Sequence, residues 1–270
     1  MRRVTLIAGS GLLAPLVAAA VRQRGDTLEV IDIVGRGDLD GATHLTLAQA
    51  SELIAAVKAH KTTHLVMAGG VHISDAEREG IAKAFGLAGK VARVAGDIGL
   101  AGMILMFCRV NRIKLVGVHE IAPDLLAPEG HIAGPPLDPA LTASAQRALA
   151  VARAVGAVDL GQSVIVSGNR PIAAEDTGGT DALLLRAAEL RARGLAGNSG
   201  LPLILAKAKK PKQPSFVDLP AIGSNTVVNA AAAGVSVVVL EARNTLLLDR
   251  AAIEREADTR GITVVGLKHG

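Results

Sequence analysis

Apolar positions recur in two rhythms along the first 120 residues of this 270-residue chain. Short, nearly unbroken runs of Val, Ile and Leu predict strands over 4–8, 28–34, 64–67 and 114–118. Longer stretches with apolar residues three and four apart predict helices over 12–24, 47–60, 75–85 and 97–111. Strands that alternate with helices of this length pair in parallel through right-handed crossovers. The pattern therefore predicts an α/β protein whose N-terminal domain is a Rossmann-like parallel sheet.

The rhythm stops between Pro123 and Pro139, where five prolines interrupt any helical or strand period. This stretch is either a long loop or a domain boundary, and a boundary fits better. The reading assigns 1–133 to the N-terminal domain, 134–139 to a linker and 140–270 to a C-terminal α/β domain. In the latter, helices are predicted over 140–155, 180–193, 226–233 and 251–260, and strands over 163–166, 171–174, 203–206, 235–240, 245–249 and 262–267. Gly168-Asn169 separates two of those strands as a hairpin turn does, so this second sheet is expected to be mixed.

Composition narrows the function. Trp and Tyr are absent, which removes the aromatic platforms used by single-strand nucleic-acid binders, and no nucleic acid is expected as a partner. Twenty-nine basic against twenty-five acidic side chains leave a net charge of +4, suited to an anionic small molecule or a weak pull toward an anionic membrane. The single cysteine, Cys108, sits beside Met106 and Phe107 and reads as a buried structural thiol. No apolar run reaches the roughly 18 residues of a membrane span. The expectation is a cytoplasmic protein with at most peripheral contact at the inner membrane.

Candidate chemistry collects at strand ends. Gly9-Ser10-Gly11 follows the first strand and opens a helix, an arrangement that can aim amides at an anion. A dinucleotide fingerprint would need a third glycine where Ala14 stands, so NAD is disfavoured although Asp32 lies at a suitable distance. Gly69-Gly70 and Gly96-Asp97 fall on the same sheet edge, where open α/β sheets bind ligands. Asp97 is either a cap for a helix starting at Ile98 or a ligand contact, and His119 with Glu120 ends the next strand as either site residues or a satisfied surface pair. Further on, Glu175, Gly179, Thr180 and Asp181 precede or open a helix, with Thr180 placed as N-cap. They serve either the helix dipole or a metal and sugar site. Lys207, Lys209, Lys210 and Lys212, with Asp218 and the turn at Gly223 before Asn225 and Thr226, read either as a solvated loop with an N-cap or as a phosphate and metal station.

Taken in order, IAGSGLLAPLVA, MAGGV, GDIGL, VGVHEIAPDLLAPEG, DLGQSVIV, GGTDALLLR, LAKAKKPKQ, VDLPAIGSNTV and LEARNTLLLDR resemble the LpxI family over nearly the whole chain. The resemblance implies a UDP-2,3-diacylglucosamine pyrophosphatase of lipid A biosynthesis. In the reaction the resemblance implies, assisted by Mg²⁺ with Mn²⁺ as an alternative, water attacks the α-phosphorus and releases UMP and 2,3-diacylglucosamine 1-phosphate. It also implies two domains that enclose the substrate, a UDP-linked lipid as partner and a homodimer. Carried onto this chain, it implies catalytic roles for Asp218, Asn225, Asp181 and Lys207, and metal ligation by Asp181, Asp218 and Glu175. It implies substrate contacts from Gly9, Ser10, Gly11, Leu12, Gly69, Gly70, Asp97, His119, Gln162, Gly179, Thr180, Lys212, Gln213, Gly223 and Thr226. Asn225 stands where the resemblance implies an acid, which leaves open a homologue that binds its ligand without turning it over.

Overall fold

The structure, a computed structural model, describes residues 1–71, 73, 77, 81, 96–197, 201–213, 216 and 219–268, with 96–101 described in backbone only. The predicted helix over 75–85, apart from positions 77 and 81, and the candidate Asp218 lie outside the described residues. The chain divides into two compact units, the first Met1–Asp124 and the second beginning at Leu125.

In the first unit, β1 (Arg3–Ala8), β2 (Thr27–Asp32), β3 (Thr43–His44), β4 (His64–Ala68) and β5 (Lys114–Val116) form one sheet in the order β3-β2-β1-β4-β5. Every pairing is parallel, as the apolar runs require. Helices α1 (Leu13–Gln23), α2 (Ala50–Ala59), α3 (Gly96–Val110) and the one-turn α4 (Val118–Ile121) connect the strands. Alternation along the strands sends Ile7, Ile31 and Leu65 into one core with Ile113 just before β5, Val57 of α2 and Cys108 of α3. Burial pushes the Cys108 thiol up to about 11, so it is an inert packing group, as expected.

The second unit carries a six-stranded sheet ordered β6-β13-β11-β9-β7-β8. Its strands are β6 (Gly130–Ala133), β7 (Ser163–Ser167), β8 (Arg170–Ala174), β9 (Leu203–Lys207), β11 (Val235–Glu241) and β13 (Thr263–Leu267). β9, β11 and β13 are parallel, while β7 runs antiparallel to β8 and β9, and β6 to β13. The mixed sheet follows from the hairpin at Gly168, whose φ of 57° suits a tight turn. A separate pair, β10 (Ala221–Ile222) with β12 (Leu246–Leu247), takes part of the predicted strand over 245–249. Asp249, also in that range, instead caps the following helix through the Ala252 N–H at 3.1 Å. β6 lies inside the proline-rich stretch read as the end of the first domain, and the structure assigns it to the second unit's sheet.

Two layers of helix cover this sheet. Ile204, Ala206, Val237 and Val239 pack on Ala145, Ala148, Leu149 and Ala152 of α5 (Thr142–Ala157). The alternate residues Leu203, Leu205, Val238 and Leu240 pack on α6 (Gly179–Ala192), α7 (Ser224–Ala232) and α8 (Arg250–Arg260). Because β9 alternates, Lys207 continues the row of Leu203 and Leu205 and points to the face of α6 and α7, whereas Glu241, following Val237 and Val239, points to α5.

Candidate functional site

In the first unit the strand order reverses between β1 and β4, the place where open parallel sheets bind ligands beyond their carboxyl ends. Both glycine turns lie there, but they meet each other. The Ser10 N–H donates to the Gly70 carbonyl at 2.8 Å, the Gly70 N–H returns a bond to the Ser10 carbonyl at 2.9 Å, and the Gly9 N–H bonds Ala68 at 2.8 Å. A Cβ on Gly9 would stand 2.4 Å from the Gly70 carbonyl oxygen, and one on Gly69, whose φ is +102°, 2.6 Å from that of Ser10. The glycines are needed because two backbones touch. The amides of Gly9, Ser10 and Gly70 are spent on that contact and do not face an anion, which corrects the expectation. Among the described residues, the N–H groups of Gly11 and Leu12, just before α1, donate to no partner.

Asp32 is buried and its carboxylate accepts the N–H groups of Val34, Gly35 and Arg36 at 3.0, 3.0 and 2.6 Å. A carboxylate so used is not offered to a ribose, in line with the disfavoured NAD reading. The turn it shapes carries Arg36, a residue the sequence reading passed over. Its Nη1 donates to the carbonyls of Gly9 and Gly11 at 2.8 and 2.6 Å, and Nε and Nη2 grip Asp38 at 2.7 Å each. The hydrogen-bonded Asp38 holds the guanidinium's pKa above its ordinary value and is itself held below the usual carboxylate range. The only signal in the sequence was an Arg two residues before an Asp in a glycine-punctuated loop.

His119 and Glu120 do not end a strand: Gly117 breaks β5 and both residues lie in α4. Burial works to raise the Glu120 pKa, but bonds from Lys114 Nζ (2.8 Å) and the Gly117 N–H (3.1 Å) outweigh it and hold the group ionised below its ordinary value. Glu120 is thus a satisfied pair member, while His119 Nδ1 is buried with no hydrogen-bond partner among the described residues. α3 begins at Gly96, which places Asp97 in its first turn, and the Asp97 side chain lies outside the described residues.

The second unit gathers side chains. Antiparallel register sets Ser163, the first residue of β7, against Lys207, the last of β9, and the Glu175 N–H bonds the Ser163 carbonyl at 2.9 Å. These three residues therefore share the carboxyl edge of β9. There α6 starts, its entry made by Gly179 at φ +77°. Thr180 is not the N-cap, since Gly178 holds that position. Its hydroxyl instead accepts from Lys207 Nζ at 2.8 Å, lies 3.3 Å from Ser163 Oγ and donates to Glu175 Oε2 at 3.3 Å. Lys207 is only 8% exposed, so its charge acts where water screens it little. The first turns of α7 and α8 point the same way, because each helix ends within three residues of the amino end of the next strand. Three helix N-termini thus lend positive potential to this edge.

The remaining candidates divide. Asp181 is exposed and accepts Asn229 Nδ2 at 3.0 Å, tying α6 to α7. Asn225 is exposed in the first turn of α7, and Thr226 Oγ1 accepts the Gly223 N–H at 3.5 Å. The lysines do not act as a cluster: Lys209 lends its N–H to buried Glu241, which also pairs with Arg153, Lys210 Nζ pairs with Asp159 at 2.7 Å, and Lys212 is exposed. Gln213 Oε1 is buried without a hydrogen-bond partner among the described residues, and Gln162, half-buried before β7, accepts the Ala208 N–H on its carbonyl at 2.9 Å. No group of three His, Cys, Asp or Glu gathers to hold a metal among the described residues. Of the expected metal ligands, Glu175 and Asp181 are engaged with separate partners. A shallow depression of about 360 Å³ lined by Ala188, Arg191, Ala192, Ala232 and Ala233 lies at the far ends of α6 and α7, away from this chemistry.

Comparison with known proteins agrees with this arrangement across both units. Residues 3–125 match the family description LpxI N-terminal domain, and residues 128–265 match LpxI C-terminal domain. A relative described as UDP-2,3-diacylglucosamine pyrophosphatase LpxI, from Caulobacter vibrioides, is 31% identical over 277 residues, covering 99% of this chain and 98% of its own. With both domain descriptions matched in order and a full-length relative, the chain belongs to the LpxI family.

Proposed function

We propose that this protein hydrolyses the pyrophosphate of UDP-2,3-diacylglucosamine. Water attacks the α-phosphorus, the bond from that phosphorus to the bridging oxygen breaks, and UMP and 2,3-diacylglucosamine 1-phosphate leave. Family membership supports the substrate class, and one observation carries the chemistry: the buried Lys207 ammonium held on Thr180 at the mouth of α6. A fixed cation and a helix N-terminus at a water-poor edge neutralise charge on phosphoryl oxygens without reorganising during the reaction. Lys207 is assigned to the phosphoryl oxygens, Thr180 to holding that ammonium in place, and Glu175 and Asp181 to the acidic side of the site with Asp218.

Mg²⁺, with Mn²⁺ as substitute, belongs to the same proposal. When bound, the ion would supply charge neutralisation at the pyrophosphate. Glu175, Asp181 and Asp218 are the carboxylates that would hold it. Among the described residues, Glu175 and Asp181 alone do not make a ligand set. A lipid substrate also places the protein at the cytoplasmic face of the inner membrane by peripheral contact. No helix among the described residues is long and apolar enough to cross one. A homodimer is part of the proposal, to be read by sedimentation.

The test is UMP release from UDP-2,3-diacylglucosamine by the purified protein with Mg²⁺, with and without chelator. Turnover that the chelator abolishes is expected. Tight binding of the lipid with no UMP under any divalent ion overturns catalysis in favour of a binding protein.

A further inference from the structure

The Arg36 guanidinium does not reach out to solvent, nor does it serve the fold's core. It spans from the end of β2 to the turn after β1 and takes two carbonyls of that turn, Gly9 and Gly11, on one nitrogen. Its other edge is locked by Asp38 in a two-bond fork, and its own backbone N–H is fixed by Asp32. Every partner of Arg36 is an oxygen at one of two neighbouring turns, the one after β1 or the one after β2.

Peptide planarity turns that grip into a direction. In a trans peptide the carbonyl and the next residue's N–H point opposite ways. Holding the Gly11 oxygen toward Arg36 therefore aims the Leu12 N–H away from it. The Gly9 oxygen is held in the same manner, and the Ser10 N–H on its far side is the one that bonds Gly70. Of the amides in this turn, those of Gly11 and Leu12 stay unspent at the mouth of α1, while the guanidinium neutralises the carbonyls that would otherwise repel an anion.

We propose that Arg36 is a positioning residue for the phosphate-bearing nucleotide part of the substrate. By holding the Gly11 carbonyl it presents the Leu12 N–H to a phosphate oxygen, beside the Gly11 N–H that the Ser10–Gly70 bond turns the other way from Gly70, with Asp38 holding the guanidinium in register. The inference rests on the nucleotide reading given above but not on turnover. Arginine is required because one planar fork meets two carbonyls and a carboxylate together, which a lysine ammonium does not.

The experiment uses the full chain, with UDP as probe in calorimetry and UDP-2,3-diacylglucosamine in the UMP-release assay. For Arg36→Gln, UDP dissociation and KM should both rise about tenfold, the worth of one charge-assisted hydrogen bond, with kcat changed less than about threefold. Arg36→Lys should fall between, and Asp38→Asn should shift KM in the same direction by less. Unchanged UDP affinity in a folded Arg36→Gln protein, or a fall in kcat at constant KM, sinks the positioning role and spares the proposed activity. Wild-type protein that binds UDP without turnover, weakened by Arg36→Gln, keeps the positioning role and removes the activity. If the wild type binds no uridine nucleotide, both fail.

Discussion

The two units build the carboxyl edges of their sheets from different materials. The first uses backbone: two glycine turns stitched together at Ser10 and Gly70, and an arginine that touches only loop oxygens. The second uses side chains, with the Lys207 ammonium, the Thr180 hydroxyl and the Glu175 carboxylate in one chain of contacts. Backbone stations depend on shape, so a substitution there shows first as lost stability. Side-chain stations depend on charge, so a substitution shows first as lost rate.

The largest effect should come from Lys207→Met, which keeps the bulk of the stem and removes the charge. The kcat for UMP release is expected to fall about 10²–10³-fold, the cost of one preorganised transition-state donor, while the protein still unfolds cooperatively in urea. Retained turnover would put the second unit's chemistry on another group. Gly69→Ala is the converse probe. Its methyl would collide with the Ser10 carbonyl at a φ foreign to alanine, costing roughly 1–3 kcal/mol in backbone strain alone, read as a lower urea midpoint. An unchanged midpoint would show that the first unit's turns are not held by close approach.

A smaller effect sharpens the contrast within the second unit. The first turn of α7 has no acid, so Asn225→Asp places a carboxylate at a helix N-terminus and should stabilise the protein by about 0.3–1 kcal/mol in thermal unfolding. The same variant reports on catalysis: a rise in UMP release above about tenfold would assign the missing charge to this position. Smallest of all is Cys108. With its pKa pushed up to about 11 by burial, about one thiol in a thousand is ionised at pH 8, and alkylation of native protein should be negligible until it unfolds. Rapid labelling would show that the first unit's core opens under native conditions.

Much of this fold was legible because hydrophobic rhythm reports burial on one face or two. The parallel strands of the first unit and the hairpin at Gly168-Asn169 were read directly from apolar runs and turn residues. β6 was not legible, since its four residues sit among prolines and exist as a strand only because β13 lies beside them. The site was legible by residue type and not by partner. Sequence offered four lysines of equal standing; alternation with Leu203 and Leu205 turns Lys207 inward, and the end of β9 at that residue leaves Lys209, Lys210 and Lys212 outside the strand. Thr180 looked like a cap because hydroxyls before helices usually are; Gly178 took that place and freed it for Lys207. Arg36 was invisible because its importance lies in two carbonyls, groups that every residue carries.

The stitched turns at Gly9 and Gly69 also fix which letters of this chain can drift. A library randomised across 9–12 and 69–70 should come back from selection with Gly9 and Gly69 frozen, because any larger residue strikes a neighbouring main chain. Leu12, 59% exposed, should vary freely in the same pool. The first unit's mutable alphabet is therefore written by the clearance between two backbones.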